Sequence, residues 1–135
     1  MTHNDYRYFE ISKAISKLSN IKRYKIGCCI VKKKDIVSSA CNIAKSSPIQ
    51  KKYNVYRFPP NHEDCCHHYI HAEMYAISKC NTDLTDAKIY VYRENKNGEL
   101  RMCRPCPACM KIIKERGIRD IYYTTGDGYC HERIK

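Results

Sequence analysis

The chain of 135 residues lacks any long apolar run and any internal repeat. No segment approaches the roughly 20 consecutive apolar residues that a membrane-spanning helix needs, which excludes an integral membrane protein of the helical kind. With 43% hydrophobic residues, a chain of this length can bury one core. We therefore expect a soluble protein that forms a single domain over residues 1–135.

An export signal is also missing. Met1–Glu10 is polar and aromatic, unlike the basic and then apolar start of a secretory signal, so we expect a cytoplasmic protein. The ten cysteines then indicate reduced thiols and metal ligands rather than a disulfide framework. Four of them lie among apolar residues and are expected to be small buried side chains: Cys28, Cys29, Cys41 and Cys80.

Acidic residues are scarce in the first part of the chain. Residues 1–58 contain 13 Lys or Arg and only three acids, whereas residues 59–135 are nearly balanced, with 12 basic and 11 acidic residues. A basic region attracts anions and suits a phosphate-bearing substrate or a nucleic acid. The charge does not choose between them, and a run such as Lys32-Lys33-Lys34 also occurs in ordinary solvated turns.

The N-terminal half alternates helical and strand patterns. Apolar residues recur at helical spacing through residues 4–18, which predicts an amphipathic helix packed on a sheet. The apolar residues are Tyr8, Ile11, Ala14, Ile15 and Leu18. Tyr24–Lys32 and Ile36–Cys41 are predicted to form a β-hairpin. Asn42–His68 is predicted to be a loop because three prolines interrupt it. At 27 residues it exceeds a mere connection, which favours a functional or oligomeric role.

The second half predicts two strand–helix units and a final strand. The predicted elements are a helix at Ile70–Cys80, a strand at Lys88–Arg93, a helix at Cys106–Arg116 and a strand at Ile118–Thr124. This order is typical of an α/β sheet with parallel crossovers and helices on each face. Too few residues follow Thr124 for another parallel crossover. Gly126-Asp127-Gly128 therefore predicts a hairpin into an antiparallel last strand at Tyr129–Ile134.

Two short motifs combine residue types that bind zinc and move protons. They are His71-Ala72-Glu73 and, after a 31-residue gap, Pro105-Cys106-Pro107-Ala108-Cys109. One imidazole and two thiolates are typical zinc ligands, and three protein ligands leave the fourth tetrahedral position for water, as in catalytic sites. We therefore predict that His71, Cys106 and Cys109 bind Zn²⁺. Glu73, which is not a ligand, is predicted to be the catalytic proton carrier.

Each motif alone has a simpler explanation. A Cys-x-x-Cys pair can be a redox couple, and a glutamate in a first helical turn can serve only the helix dipole. The two motifs together, each near a helix start where a thiol loses its proton easily, favour the zinc site. Cys103 extends an evenly spaced trio with Cys106 and Cys109, but an iron–sulfur run needs a fourth cysteine. We leave Cys103 outside the metal site.

These motifs resemble those of the cytidine and deoxycytidylate deaminase superfamily, and the resemblance spans most of the chain. It implies a three-layer α/β/α fold with a five-stranded mixed sheet, in which both motifs begin the central helices. Zinc lowers the pKa of its water to about 7, and the water attacks C4 of a cytosine-type base. The resemblance thus implies hydrolysis to a uracil-type product and ammonia. It also implies a homo-oligomer, either a dimer or a tetramer.

The resemblance also assigns two substrate contacts. Asn42 matches an asparagine that contacts the substrate sugar, although an asparagine after a strand is often a turn residue. The backbone of Ala72 matches a contact to the pyrimidine. Tyr75 departs from deoxycytidylate deaminases, which usually have an asparagine there. An antiparallel last strand resembles deaminases of free nucleosides, whereas a parallel one resembles nucleic-acid editors.

Two functions and one further metal site remain open. We favour deamination of a free cytosine nucleotide or nucleoside, with a dCMP-like substrate because of the basic N-terminal part. The alternative is deamination of a base in single-stranded DNA or RNA. The loop before the first motif contains residues that could bind a second zinc: His62, Cys65, Cys66, His67 and His68. Against this, consecutive residues seldom converge on one tetrahedral ion.

Overall fold

The structure is a computed structural model that describes residues 1–57 and 68–134. Its helices are α1 (His3–Ser16), α2 (Pro48–Tyr53), α3 (Ala72–Ser78) and α4 (Pro107–Glu115), with a 3₁₀ helix at Asn54–Tyr56. Its strands are β1 (Ile26–Lys32), β2 (Asp35–Cys41), β3 (Ile43–Ser46), β4 (Tyr69–Ile70), β5 (Lys88–Arg93), β6 (Asp120–Thr125) and β7 (Gly128–Arg133).

Five strands form the main sheet in the order β2-β1-β5-β6-β7. β1 is antiparallel to both β2 and β5, β5 and β6 are parallel, and β7 is antiparallel to β6. The α/β class, the five-stranded mixed sheet and the antiparallel last strand are therefore confirmed. The connection through α3 leads from β2 to β5, and β1 lies between these two strands in the sheet. Among the described strands, only β5 and β6 are therefore parallel neighbours.

The two faces of the sheet bury different side chains, because successive residues of a strand point to opposite sides. One face packs on α1 and is largely aromatic, with Tyr8, Phe9, Tyr90, Tyr92 and Tyr122. The other packs on α3 and α4 and is largely aliphatic, with Ile30, Ile89, Val91, Ile112 and Ile121. Each such side chain contributes about 1.5–3 kcal/mol on full burial. The helices thus cover the sheet on both faces, which agrees with the three-layer α/β/α fold expected from the resemblance.

The buried face of α1 differs from the predicted one. Ser12 and Ser16 are buried, whereas Leu18 lies beyond the end of α1 and is 76% exposed. The cause is Gly27 of β1, where a Cβ atom would lie 2.0 Å from the carbonyl oxygen of Ser12 and 2.5 Å from the backbone nitrogen of Ser16. The helix backbone therefore approaches the strand directly, and only small side chains fit between them.

The prediction of a loop at Asn42–His68 is wrong for most of its described part. β3, α2, the 3₁₀ helix and β4 all begin inside or beside this segment, and β3 pairs with β4 in a separate two-stranded sheet. Pro48 opens α2 rather than preventing it, because proline suits the first turn of a helix, and Ser47 caps the helix through Gln50 N–H. Pro59 and Pro60 lie outside the described residues.

The four cysteines expected to be small buried side chains follow that expectation with one exception. Cys28, Cys29 and Cys41 are buried, Cys80 is partly exposed, and all four are free thiols. Within residues 1–57 and 68–134, no helix is long and apolar enough to cross a membrane.

Candidate active site

A chain of buried amides holds His71 at the start of α3. His71 is the N-cap of this helix, and its backbone N–H donates to Gln50 Oε1 at 3.0 Å. Gln50 is fully buried, and its Nε2 donates to Asn54 Oδ1 at 2.8 Å. The segment containing α2 and the 3₁₀ helix therefore positions His71. Sequence reasoning missed Gln50 and Asn54, because an isolated amide carries no motif or periodic signal.

The two cysteines of the second motif lie at the start of α4. Cys106 is the N-cap and Pro107 occupies the first helical position, where its missing N–H costs no hydrogen bond. Cys109 is fully buried one turn further on. Residues three apart share a helix face, so both sulfurs point towards the start of α3.

The structure brings together the three predicted zinc ligands. His71 Nδ1 lies 3.6 Å from Cys106 Sγ and 3.4 Å from Cys109 Sγ, and all three ligand atoms lie within 4.8 Å of one another. Zinc–sulfur bonds of about 2.3 Å and zinc–nitrogen bonds of about 2.1 Å at a tetrahedral angle place sulfur and nitrogen about 3.6 Å apart. The donor set and its spacing therefore fit zinc.

Only one of the two thiols in this pair loses its proton readily. The Cys109 thiol and the His71 imidazole lower the pKa of Cys106 to about 3, against the opposing effect of burial. The Cys106 sulfur, together with burial, raises the pKa of Cys109 well above its usual value. One thiolate thus forms readily in this pair, and a cation between the sulfurs favours loss of the second proton.

Glu73 is a buried carboxyl beside this group. It is 4% exposed, and its Oε1 has no hydrogen-bond partner among the described residues. Burial raises the pKa of Glu73 above its usual value, although the nearby His71 partly opposes the shift. A buried polar atom without a partner is costly, which suggests that a ligand or water occupies the space it faces.

A cleft of about 300 Å³ reaches these side chains from the surface. His71, Glu73 and Cys106 line it, together with Ile26 at the start of β1 and residues 102–104. The cleft is large enough for a nucleoside-sized ligand, and it brings such a ligand against the carboxyl of Glu73.

The family model for the cytidine and deoxycytidylate deaminase zinc-binding region matches residues 2–125. The chain belongs to this family. The match includes both motifs, and it confirms the resemblance drawn from them.

Solved structures of deaminases share the fold. The dCMP deaminase of cyanophage S-TIM5 in apo form has a TM-score of 0.62 and 24% identity, over 91% of this chain and 84% of that chain. The same enzyme in complex with dCMP and dUMP has a TM-score of 0.62 and 22% identity, over 91% and 82% of the two chains.

A third structure is a larger enzyme, the diaminohydroxyphosphoribosylaminopyrimidine deaminase/5-amino-6-(5-phosphoribosylamino)uracil reductase of Thermotoga maritima. It has a TM-score of 0.55 and 18% identity, over 90% of this chain and 29% of that chain. At these identities the three structures show a common fold alone. No curated protein matches the chain.

The two predicted substrate contacts of the deaminase occupy different surroundings. Asn42 lines the cleft and is 2% exposed. Its Oδ1 accepts from Ile26 N–H at 2.9 Å and its Nδ2 donates to the Tyr24 carbonyl at 3.1 Å, so Asn42 also holds the start of β1. One amide hydrogen and one lone pair remain for a substrate. Ala72 is fully buried at the first position of α3, and the described residues that line the cleft do not include it.

Three arginines line the same cleft, and sequence reasoning did not single them out. Arg57 Nη1 lies 3.1 Å from His71 Nε2, and Arg93 Nη1 donates to the carbonyl of Met102. Arg104 binds the Glu132 carboxylate through two nitrogens, at 2.6 and 3.2 Å. These arginines come from three separate segments, so no local pattern could have grouped them.

Cys103 lies outside the group of ligand atoms. Its sulfur contacts the carbonyl of Val91 at 3.3 Å and Thr124 Oγ1 at 3.1 Å, and burial raises the pKa of the Cys103 thiol to about 12. The residues considered for a second zinc include His62, Cys65, Cys66 and His67, which lie outside the described residues. His68 Nδ1 lies 2.8 Å from Asn54 Nδ2.

Proposed function

We propose that this deaminase is a zinc-dependent hydrolase acting on a free cytosine nucleotide, with dCMP as the preferred substrate. The products are the uracil nucleotide and ammonia. The observation that carries the proposal is the buried Glu73 carboxyl, whose Oε1 has no partner in the described part of the chain, beside the ligand atoms of His71, Cys106 and Cys109.

His71, Cys106 and Cys109 hold the zinc in this proposal. When bound, zinc supplies a Lewis acid that makes a water molecule acidic near neutral pH. With zinc held at His71 Nδ1, the imidazole proton would be on Nε2, which could then only donate. The Arg57 guanidinium 3.1 Å away must therefore turn from Nε2, and it lies at the cleft where an anionic substrate would receive it.

Glu73 moves the protons. Its carboxylate accepts a proton from the attacking water and delivers it to N3 of the cytosine ring as the oxygen bonds to C4. The carboxylate then accepts the remaining proton of the C4 hydroxyl and passes it to the amino nitrogen. The C4–N bond breaks with its electron pair as the C4=O double bond forms, and ammonia leaves. Burial supports this role, because the raised pKa of Glu73 brings its proton affinity closer to neutral pH.

The arginines of the cleft support a phosphate on the substrate. Arg104 is already neutralised by Glu132. The Arg93 guanidinium makes no ion pair among the described residues, and it donates to the Met102 carbonyl at 3.4 Å. Arginine binds phosphate oxygens through two parallel N–H groups. The related cyanophage enzyme forms a complex with dCMP and dUMP, which agrees with a nucleotide ligand.

The test is deamination by zinc-loaded protein. Deoxycytidine, dCMP and single-stranded DNA are compared by ammonia release, together with the absorbance change from cytosine to uracil. We expect dCMP to be the best substrate. Glu73→Gln should lower its turnover by about 10²–10⁴-fold while retaining zinc. Glu10→Gln, an exposed change on α1, is the control.

Two results would count against the proposal. Near-parental turnover by Glu73→Gln would remove the proton carrier from the mechanism. Turnover of single-stranded DNA with none of dCMP would instead make the protein a nucleic-acid deaminase.

A further inference from the structure

A second cleft, of about 400 Å³, adjoins the active-site cleft. It lies between the end of α1 with residues 22–25 on one side and residues 93–101 on the other. Tyr24 and Arg93 line both clefts, so the two share a wall. The Arg93 guanidinium lies over the Tyr24 ring, 5.7 Å from its centroid, at this junction.

The second cleft is strongly basic. Its described lining includes one carboxylate, Glu94, and seven cations: Lys17, Lys22, Arg23, Lys25, Arg93, Lys96 and Arg101. Glu94 is already neutralised, because its carboxylate contacts Lys17 Nζ at 3.0 Å and accepts from the Tyr92 hydroxyl at 2.9 Å. Like charges on a concave wall repel one another and concentrate anions. The cleft therefore favours a multiply charged anion.

Several of these cations are not used by the fold. Within the described ranges, Lys22, Arg23 and Lys96 are exposed and make no hydrogen bond or ion pair. Lys25 differs, since its ammonium donates to the carbonyl of Ser19. Three cations without a structural task, on a wall shared with the active site, indicate a binding role rather than a stabilising one.

We propose that this basic cleft binds the β- and γ-phosphates of a nucleotide whose base lies in the active-site cleft. Deoxycytidine di- and triphosphates would then be substrates as well as dCMP. The proposal rests on the proposed function for the identity of the base. Arg93 at the shared wall contacts the α-phosphate, and the chain of phosphates continues towards Lys22 and Lys96.

The lining favours a short phosphate chain over a polymer. Proteins that hold single-stranded nucleic acid combine cations with several aromatic side chains on which bases stack. The described lining of this cleft contains one aromatic side chain, Tyr24, and the Arg93 guanidinium covers its face. A triphosphate requires only cations for its phosphates, and the cleft provides cations.

The test combines binding with turnover. Lys22→Ala/Lys96→Ala removes two cations of the cleft that have no other contact, and Lys51→Ala/Lys114→Ala removes two exposed cations that line neither cleft. Calorimetry with inorganic tripolyphosphate is run on both zinc-loaded variants and on the parent. We expect the first variant to bind about tenfold or more weakly and the second to match the parent.

Steady-state kinetics supply the second measurement. We expect kcat/KM for dCTP to fall about tenfold or more in Lys22→Ala/Lys96→Ala, while kcat/KM for dCMP changes less than about twofold. Turnover of dCMP without turnover of dCTP, or equal tripolyphosphate binding by both variants, would overturn the inference and leave the proposed function intact. Absence of any deamination would refute the proposed function, and the tripolyphosphate result would still decide what the cleft binds.

A polymer ligand is the remaining outcome. Tighter binding of a single-stranded oligonucleotide than of tripolyphosphate, lost in Lys22→Ala/Lys96→Ala, would overturn the inference by assigning the cleft to a nucleic-acid backbone. A steep decrease of that affinity with salt would accompany it.

Discussion

Replacing Gln50 by methionine tests whether the buried amide chain positions the metal site. Methionine has a similar length and no hydrogen-bonding amide, so the change leaves little cavity. It removes the acceptor of His71 N–H and the donor to Asn54 Oδ1. Each buried group left without a partner costs about 1–3 kcal/mol. The expected loss in free energy of unfolding for the two groups is therefore about 2–6 kcal/mol.

That loss is large for a domain of ordinary stability, about 5–15 kcal/mol. At about 3–4 °C per kcal/mol for this chain length, the melting temperature should fall by roughly 6–24 °C. Thermal denaturation followed by circular dichroism measures it, with and without a zinc chelator. Zinc affinity, measured by competition with a chromophoric chelator, should fall by about tenfold because His71 loses its support.

Lys51→Met is the matched control, since Lys51 is an exposed neighbour on α2. Its melting temperature and zinc affinity should remain close to those of the parent. If Gln50→Met also melted within about 2 °C of the parent and kept its zinc affinity, the amide chain could not be what holds His71 in place.

Three further predictions follow from other parts of the structure. Gly27→Ala should cost about 3 kcal/mol or more in chemical denaturation, because its Cβ would meet the α1 backbone, while Gly126→Ala, with nothing within 4 Å, should be nearly neutral. Cys106→Ser should lose zinc in metal analysis and melt at a lower temperature, since the metal's binding contributes to folding.

The third concerns acid pH. Arg104 and the Tyr123 hydroxyl both donate hydrogen bonds to the Glu132 carboxylate and lower its pKa. Its contribution to stability is therefore present above the ordinary glutamate pKa of about 4.3 and is lost as the pH falls through the lower folded value. A Glu132→Gln variant should show a shallower decrease in melting temperature below about pH 4 than the parent, and an identical profile would contradict this reading.

The metal motif and the antiparallel last strand were predictable from sequence because their information is local. Cys106 and Cys109 are one helical turn apart, so their spacing alone places both sulfurs on one face. Gly126-Asp127-Gly128 predicted a hairpin after Thr124, and β7 is antiparallel to β6. The single domain, the cytoplasmic location, the homo-oligomer and the roles of Asn42 and Ala72 stay predictions.

Other features depended on which segments meet in space. The buried face of α1 was predicted wrongly because apolar spacing does not report that Gly27 lets a helix backbone approach a strand. The prolines led to the prediction of a loop where α2 lies, although proline in the first turn is compatible with a helix. Local patterns describe one element at a time, and they carry no information on the distance between elements.

The candidate ligands were thus identifiable from sequence, whereas their surroundings depended on tertiary structure. The residue types and their spacing indicate metal binding and proton transfer for His71, Glu73 and the Cys-x-x-Cys pair. Gln50 and Arg93 belong to no motif, and only folding places one behind His71 and the other between two clefts. The physical reason is that the covalent backbone restricts how residues near in sequence can be arranged. Side chains from distant segments meet only when burial of the core brings their elements together.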